Sequence, residues 1–245
     1  MFHSKNHSLL FIAAPKTGST SVESCLSEII QDGTRFRIDL PDKTITSADV
    51  SSPSLGHAKA IEFKDVLGAT SYNSLFVFGF VRDPIEKVVS SYFFTRSGKL
   101  RDAFSIRTEK SKPIMVIRQV ISILAARILP LWLWSLMYKM RDCHSYFTDN
   151  EGSIIVDCLG STNRLSLDLL AILDQCGIEV PEQLVPHTNT SVHRRPEDYW
   201  FFRFWIPLLR KRYAADLALF RLVKDGIWVN SKGAAAGSRE KARAT

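Results

Sequence analysis

Apolar positions along the 245-residue chain fall into short continuous runs that alternate with helical patterns. Ser8 to Ala14 (SLLFIAA) is unbroken, which predicts a strand buried on both faces of a parallel sheet. Pro15 to Thr20 interrupts it. From Ser19 the residues Val22, Leu26, Ile29 and Ile30 recur at helical spacing, with a stop before Gly33. Arg35 to Leu40 predicts a second short strand, Pro41 to Gly56 a loop, and Ile61 to Leu67 a short helix ending at Gly68. Leu75 to Val81 (LFVFGFV) predicts the next buried strand. A helix follows, with Pro84 in its first turn, Val88, Val89, Tyr92 and Phe93 on its buried face, and Gly98 at its end.

A basic loop, Lys99 to Lys112, leads into the apolar stretch Pro113 to Met140. Ser153 to Cys158 predicts a further strand, and Leu165 to Cys176 a helix closed by Gly177. Tyr199 to Val223 is aromatic, basic and mostly helical, with Pro207 kinking or splitting it. Ser231 to Thr245 is small, charged and aperiodic, which predicts a disordered tail. Strands alternating with helices predict a three-layer α/β fold with a central parallel sheet. The expected organisation is one domain over residues 1–230, with an apolar helical insertion at about 113–140 and the tail over 231–245.

Charge narrows the partners. Lys and Arg number 32 against 25 Asp and Glu, a net charge of +7, which favours an anionic ligand, an acidic acceptor or an anionic membrane face. No nucleic-acid partner is expected. The four cysteines are scattered, with no C-x-x-C pair and no His at ligand spacing, so neither a disulfide framework nor a metal site is expected. The N-terminus reads as a buried strand rather than a leader, and a reducing, cytoplasmic setting is the expectation.

Two constellations carry chemistry. The first is Pro15-Lys16-Thr17-Gly18-Ser19-Thr20-Ser21, at the joint of a buried strand and a helix. A helix N-terminus presents unpaired N–H groups and partial positive charge, Gly18 lets the backbone curl towards an anion, and three hydroxyls and Lys16 add donors. The same residues also suit a plain capped helix with an exposed lysine. The lysine precedes the glycine and the first glycine of G-x-x-x-x-G-K-[ST] is missing, which argues against a nucleoside-triphosphate loop. The second is Arg82 at a strand end in FVRDP with Ser90 eight residues later, a guanidinium fork and a neutral hydroxyl that together could grip one phosphate. Pairing of Arg82 with Asp83 or Glu86 is the alternative.

The two motifs, in this order, resemble those of the sulfotransferases that use 3′-phosphoadenosine 5′-phosphosulfate (PAPS), in particular the carbohydrate sulfotransferases and their bacterial relatives. The resemblance runs from about Leu9 to Val223 and is strongest in the two motifs. Gly56-His57, SIIVDCLGSTNRL and LVPHTNTS add to it. It implies a fold similar to nucleoside-triphosphate kinases, PAPS as co-substrate without a metal, PKTGSTS as the 5′-phosphosulfate loop with Lys16 as its lysine, and Arg82 with Ser90 on the 3′-phosphate. Where the family often has Arg and Glu ahead of the fourth-strand helix, this chain has Ser161, Thr162, Asn163 and Arg164. The implied reaction passes a sulfuryl group to a hydroxyl or amine of a glycan, lipid or small molecule, which the sequence does not specify. A base must take the acceptor's proton; His57 is the candidate, then Glu62, then His187 and His144. The rival readings are a small-molecule kinase with an atypical phosphate loop and a non-catalytic, membrane-associated nucleotide-binding protein.

Pro113 to Met140 is long enough to span a bilayer, but Arg118, Gln119 and Arg127 lie within it and Pro130 breaks it. Two helices packed on the sheet are the simplest reading. The other is an acceptor-side lid with peripheral membrane affinity, with Trp132 and Trp134 at the interface and Arg107, Lys110, Lys112, Lys139 and Arg141 facing anionic lipid.

Overall fold

The computed structural model describes residues 1–39, 44–47, 57–98, 113–181 and 195–230. The basic loop 99–112, the segment LVPHTNTS, Gly56, His187 and the tail 231–245 lie outside the described residues, as does most of the loop 41–56. The chain divides into two compact units. Unit 1 comprises Met1–Arg82, Asp142–Asn189 and Ala215–Thr245; unit 2 comprises Asp83–Arg141 and Thr190–Ala214.

Unit 1 is built on a seven-stranded sheet in the order β4-β3-β1-β2-β5-β6-β7. Its strands are β1 (Phe2–Ser4), β2 (Leu9–Ile12), β3 (Thr34–Asp39), β4 (Thr44–Ser47), β5 (Phe76–Val81), β6 (Cys158–Ser161) and β7 (Trp228–Val229). The three middle strands are parallel, with Phe11 opposite Phe78 and Phe80 opposite Gly160. Every residue of β2 and β6 is buried, as is β5 from Val77 onward, so both faces of the central strands are covered. The chain therefore has the expected α/β architecture.

The flanks add antiparallel strands to the expected central parallel sheet. β1 pairs antiparallel with β2 and β3, β4 with β3, and β7 with β6, so the sheet is mixed. β1 escapes a pattern reading because three residues containing His3 and Ser4 show no period. Its register is held by Asp32, which accepts from Ser4 Oγ at 2.8 Å and Asn6 N at 2.9 Å. Within the expected loop 41–56 lies strand β4.

The strand expected at Ser153–Cys158 begins where that stretch ends. Ile154 instead bridges Thr148, across a turn in which Asp149 Oδ1 accepts from Glu151 N and Ser153 N. Asp157 takes a ladder position with its side chain, accepting from Val77 N at 2.8 Å, and strand pairing starts at Cys158.

The helices of unit 1 are α1 (Ser19–Ile29), α2 (Ala60–Leu67), α3 (Ala69–Asn73), α7 (Leu165–Gln175) and α9 (Ala214–Val223). α1 buries Val22, Cys25 and Leu26, and α7 buries Leu165, Leu169, Ile172 and Leu173, in one core with the strands. The short α3 falls in a stretch that the sequence left unassigned.

Unit 2 is helical: α4 (Pro84–Ser97), α5 (Pro113–Ile128), α6 (Leu131–Met137) and α8 (Ile206–Arg212), with 3-10 turns at Pro196–Asp198 and Phe202–Trp205. Asp83 caps α4 by accepting from Ile85 N at 2.7 Å, and Pro84 occupies the first turn as expected. Pro130, which cannot donate to Ala126, separates α5 from α6. Among the described residues no helix is long and apolar enough to cross a membrane.

The apolar stretch is thus two helices, and both pack with α4. Trp134 is 3% exposed against Tyr92 and Tyr138, and Trp132 stacks on Trp205 at 5.9 Å. These tryptophans belong to the core of unit 2 rather than to an interface, which corrects the expectation for them. Pro207 sits in the first turn of α8, where its missing N–H costs nothing; the break in the 199–223 stretch falls at Tyr213.

Candidate active site

The loop from β2 to α1 is tightly determined. Ala13, Ala14 and Thr17 are buried, and Thr17 Oγ1 donates to the Ala14 carbonyl at 2.9 Å, closing the turn from inside. Lys16 (φ 65°) and Gly18 (φ 74°) are both left-handed. That conformation costs a non-glycine residue about 1–3 kcal/mol and persists only where surroundings impose it, most often at ligand sites. At Gly18 a Cβ would meet Leu165 Cδ2 at 3.3 Å.

Gly18 is the N-cap of α1, its carbonyl accepting from Ser21 N and Val22 N. Gly18 has no side chain with which to cap this helix end, and no acidic residue stands in its first turn. Its positive pole is therefore offset by no carboxylate there. Pro15, Ser19 and Ser21 are half-buried and Thr20 is exposed around it.

The carboxyl ends of the three parallel strands meet here. β2 runs into the loop, β5 ends at Val81 beside Arg82, and β6 ends at Ser161. Thr162 Oγ1 donates to the Val81 carbonyl at 3.0 Å, while Thr162 and Leu165 border Gly18. Ser161 N donates to the buried Asp168 at 2.8 Å, and Asp168 also accepts from Arg164 Nε at 3.1 Å. Open parallel sheets bind ligands at this edge. Lys16 is lowered to about 8, first by burial and then by the Arg82 guanidinium. Two cations held in each other's field, next to a helix N-terminus, form a site complementary to a multiply charged anion.

His57 comes to the same loop from 44 residues away. Its Nδ1 is 2.8 Å from the Ala13 carbonyl oxygen, and its ring meets Tyr146 edge-on with centroids 6.4 Å apart. A carbonyl only accepts, so Nδ1 carries the proton and Nε2 is the basic nitrogen of the neutral ring. Glu62 is otherwise occupied: its carboxylate accepts from Lys59 N at 2.6 Å and caps α2. His144 accepts from Thr148 Oγ1 through its carbonyl and donates its backbone N–H to Asp216, both backbone roles.

Ser90 lies in unit 2, on α4 two turns after Asp83, and is 7% exposed. The structure thus brings Lys16, Gly18, Arg82 and His57 to one end of the sheet in unit 1. Sequence reasoning missed Tyr146 and the bracing role of Asp168. The strand expected at Ser153–Cys158 and the small polar run LGSTN after it were the sequence signals for a third strand end.

No curated protein and no solved structure matches the chain. One family model, described as "Sulfotransferase family", matches residues 1–222. With a match over nearly all of its length, the chain belongs to the sulfotransferase family.

Proposed function

We propose that this sulfotransferase takes its sulfuryl group from PAPS and passes it to a hydroxyl or amine. The observation that carries the reading is the placement of Lys16 and Arg82 at the carboxyl ends of the paired parallel strands β2 and β5, beside the start of α1. A donor with a 5′-phosphosulfate and a 3′-phosphate offers separate anionic groups to such a site. The resemblance assigns the PKTGSTS loop and Lys16 to the phosphosulfate, and Arg82 with Ser90 to the 3′-phosphate.

In the proposed reaction the acceptor oxygen or nitrogen forms a bond to sulfur as the bond from sulfur to the bridging oxygen breaks. The electron pair leaves with the phosphate, and Lys16 stabilises the charge that develops there. The acceptor's proton goes to Nε2 of His57, which the Ala13 carbonyl keeps in the tautomer able to receive it. The products are the sulfated acceptor and 3′-phosphoadenosine 5′-phosphate (PAP). Catalysis rests on positioning and electrostatics, as in phosphoryl transfer, and the lowered Lys16 remains a cation at neutral pH.

Titration calorimetry with PAP and with ATP tests the donor. PAP binding in clear preference to ATP is expected, whereas equal or stronger ATP binding points to a kinase. Incubation with labelled PAPS and a panel of glycan, lipid and phenolic acceptors, read by mass spectrometry, then identifies the product. PAP binding without transfer to any acceptor class would favour a non-catalytic protein.

A further inference from the structure

Unit 2 exposes large apolar side chains in two places. On α5, Ile117 (57% exposed), Ile121, Leu124 and Ile128 (77%) follow one another at spacings of four, three and four, a single helix face. Around the 3-10 turn Phe202–Trp205, Trp200, Phe201 and Phe204 are each about two-thirds exposed, and Leu208 is half exposed a turn later. Single exposed apolar groups are ordinary, but a whole helix face and a cluster of three aromatics mark an interaction surface.

Charge decides the partner. From Pro113 to Arg141 the sequence has no Asp or Glu, and from Tyr199 to Ala215 it has none either. Both apolar features therefore sit in stretches that carry only cations. The Arg203 guanidinium lies 4.2 Å over the Trp200 ring and 4.9 Å from that of Phe204, so a charge is seated on the exposed aromatic cluster itself. Arg210 and Lys211 are exposed one to two turns on. In sequence the aromatic cluster is preceded by Glu197 and Asp198, and Asp198 is engaged in accepting from Arg195 N at 3.1 Å.

We infer that unit 2 docks peripherally on an anionic lipid bilayer, with Trp200, Phe201 and Phe204 and the Ile117–Ile128 face entering the interface and Arg203, Arg210 and Lys211 meeting the phosphates. Aromatic rings with a guanidinium seated on them, and an aliphatic helix face in a stretch without acidic residues, match an environment in which acyl chains and anionic headgroups lie within a few ångströms. The inference stands apart from the choice of donor, because none of these residues is placed in the phosphosulfate site.

Vesicle flotation of the full chain tests it, with phosphatidylcholine alone and with phosphatidylcholine containing phosphatidylserine. Wild-type protein is expected to float with the anionic vesicles at low salt and to be released as salt rises. Trp200→Ser with Phe204→Ser should lower the partition coefficient about tenfold or more, and Arg203→Glu about fivefold or more. Circular dichroism checks that these surface variants fold. Wild-type protein that stays unbound to anionic vesicles at low salt overturns the inference, as does a double variant that binds like wild type. A dimer in light scattering that the double variant dissolves, without flotation, would assign the surface to a second copy instead.

Discussion

His57 Nδ1 donates to the carbonyl of Ala13 across 2.8 Å, tying an imidazole to the residue that opens the Lys16 loop. The proposed base and the proposed anion loop are thereby tied to one another by a hydrogen bond. His57→Ala is expected to lower the transfer rate about 10²–10⁴-fold. PAP affinity should change little, since the base acts on the acceptor. Steady-state kinetics beside calorimetry separates the two effects, and full-rate transfer by the variant would remove His57 from the reaction.

Lys16 makes a pH prediction with a definite sign. Its folded value, about 8, lies below the ordinary 10.5 because burial and Arg82 disfavour the ammonium. The folded protein thus holds fewer protons than the unfolded chain between those values, and this group's contribution to stability rises with pH across that window. Anion binding reverses the preference and takes up a proton, so PAP affinity should fall as pH rises past about 8. Calorimetry in buffers of different ionisation enthalpy reads the proton uptake directly. Lys16→Met should abolish both uptake and turnover; uptake that persists in this variant belongs to another group.

Arg82 and Ser90 are expected to differ in weight. Arg82→Ala should weaken PAP binding by about 1.5–3 kcal/mol, the worth of a charge-assisted bond, and Ser90→Ala by about 0.5–1.5 kcal/mol. Adenosine 5′-phosphosulfate, which lacks the 3′-phosphate, provides the control. If the two substitutions weaken its binding as much as that of PAPS, the 3′-phosphate assignment is wrong.

Gly18→Ala should cost about 1–2 kcal/mol, because an L-residue disfavours φ 74° and the new Cβ would stand 3.3 Å from Leu165 Cδ2. Urea unfolding measures the loss. A neutral or stabilising result would mean that the loop relaxes to another conformation, which a parallel loss of PAP affinity would reveal.

The site was legible where its signal is local. A buried run, a lysine, a glycine and three hydroxyls in succession specify strand, curl and helix start without long-range information, and FVRDP specifies a strand end and a capped helix in the same way. The contacts that organise the site were not legible. His57 reaches Ala13 across 44 positions, and Tyr146 reaches His57 from farther still. The sheet was read at its parallel centre, where both faces are buried and the code is a run of apolar residues. Away from that centre β1, β4 and β7 are only two to four residues long, too short to show a period. Trp132 and Trp134 show the converse failure. Hydropathy makes them equally fit for a membrane or a core, and only the partners Trp205, Tyr92 and Tyr138 decide for the core.

Asp168 offers a test of whether the third strand end belongs to the site. Its carboxylate is 1% exposed and accepts from Ser161 N at 2.8 Å and from Arg164 Nε at 3.1 Å. Together these bonds fix residues 161–164, whose Thr162 holds Val81 and borders Gly18. Asp168→Ala leaves the Ser161 N–H buried without its acceptor, at about 1–3 kcal/mol. The ion pair adds less, since the Arg164 side chain is 40% exposed and its guanidinium keeps a bond to the Asp225 carbonyl at 2.7 Å. Asp168→Asn retains one acceptor oxygen for Ser161 and should recover part of the stability. Asp32→Ala is the matched control, because Asp32 braces the β1–β2 turn through Ser4 and Asn6 at the other end of β2. Both alanine variants should lower the unfolding midpoint in urea, but only Asp168→Ala should also weaken PAP binding. Equal affinities in the two would mean that the 161–164 segment serves stability alone, and that the anion is held by the β2 and β5 ends without it.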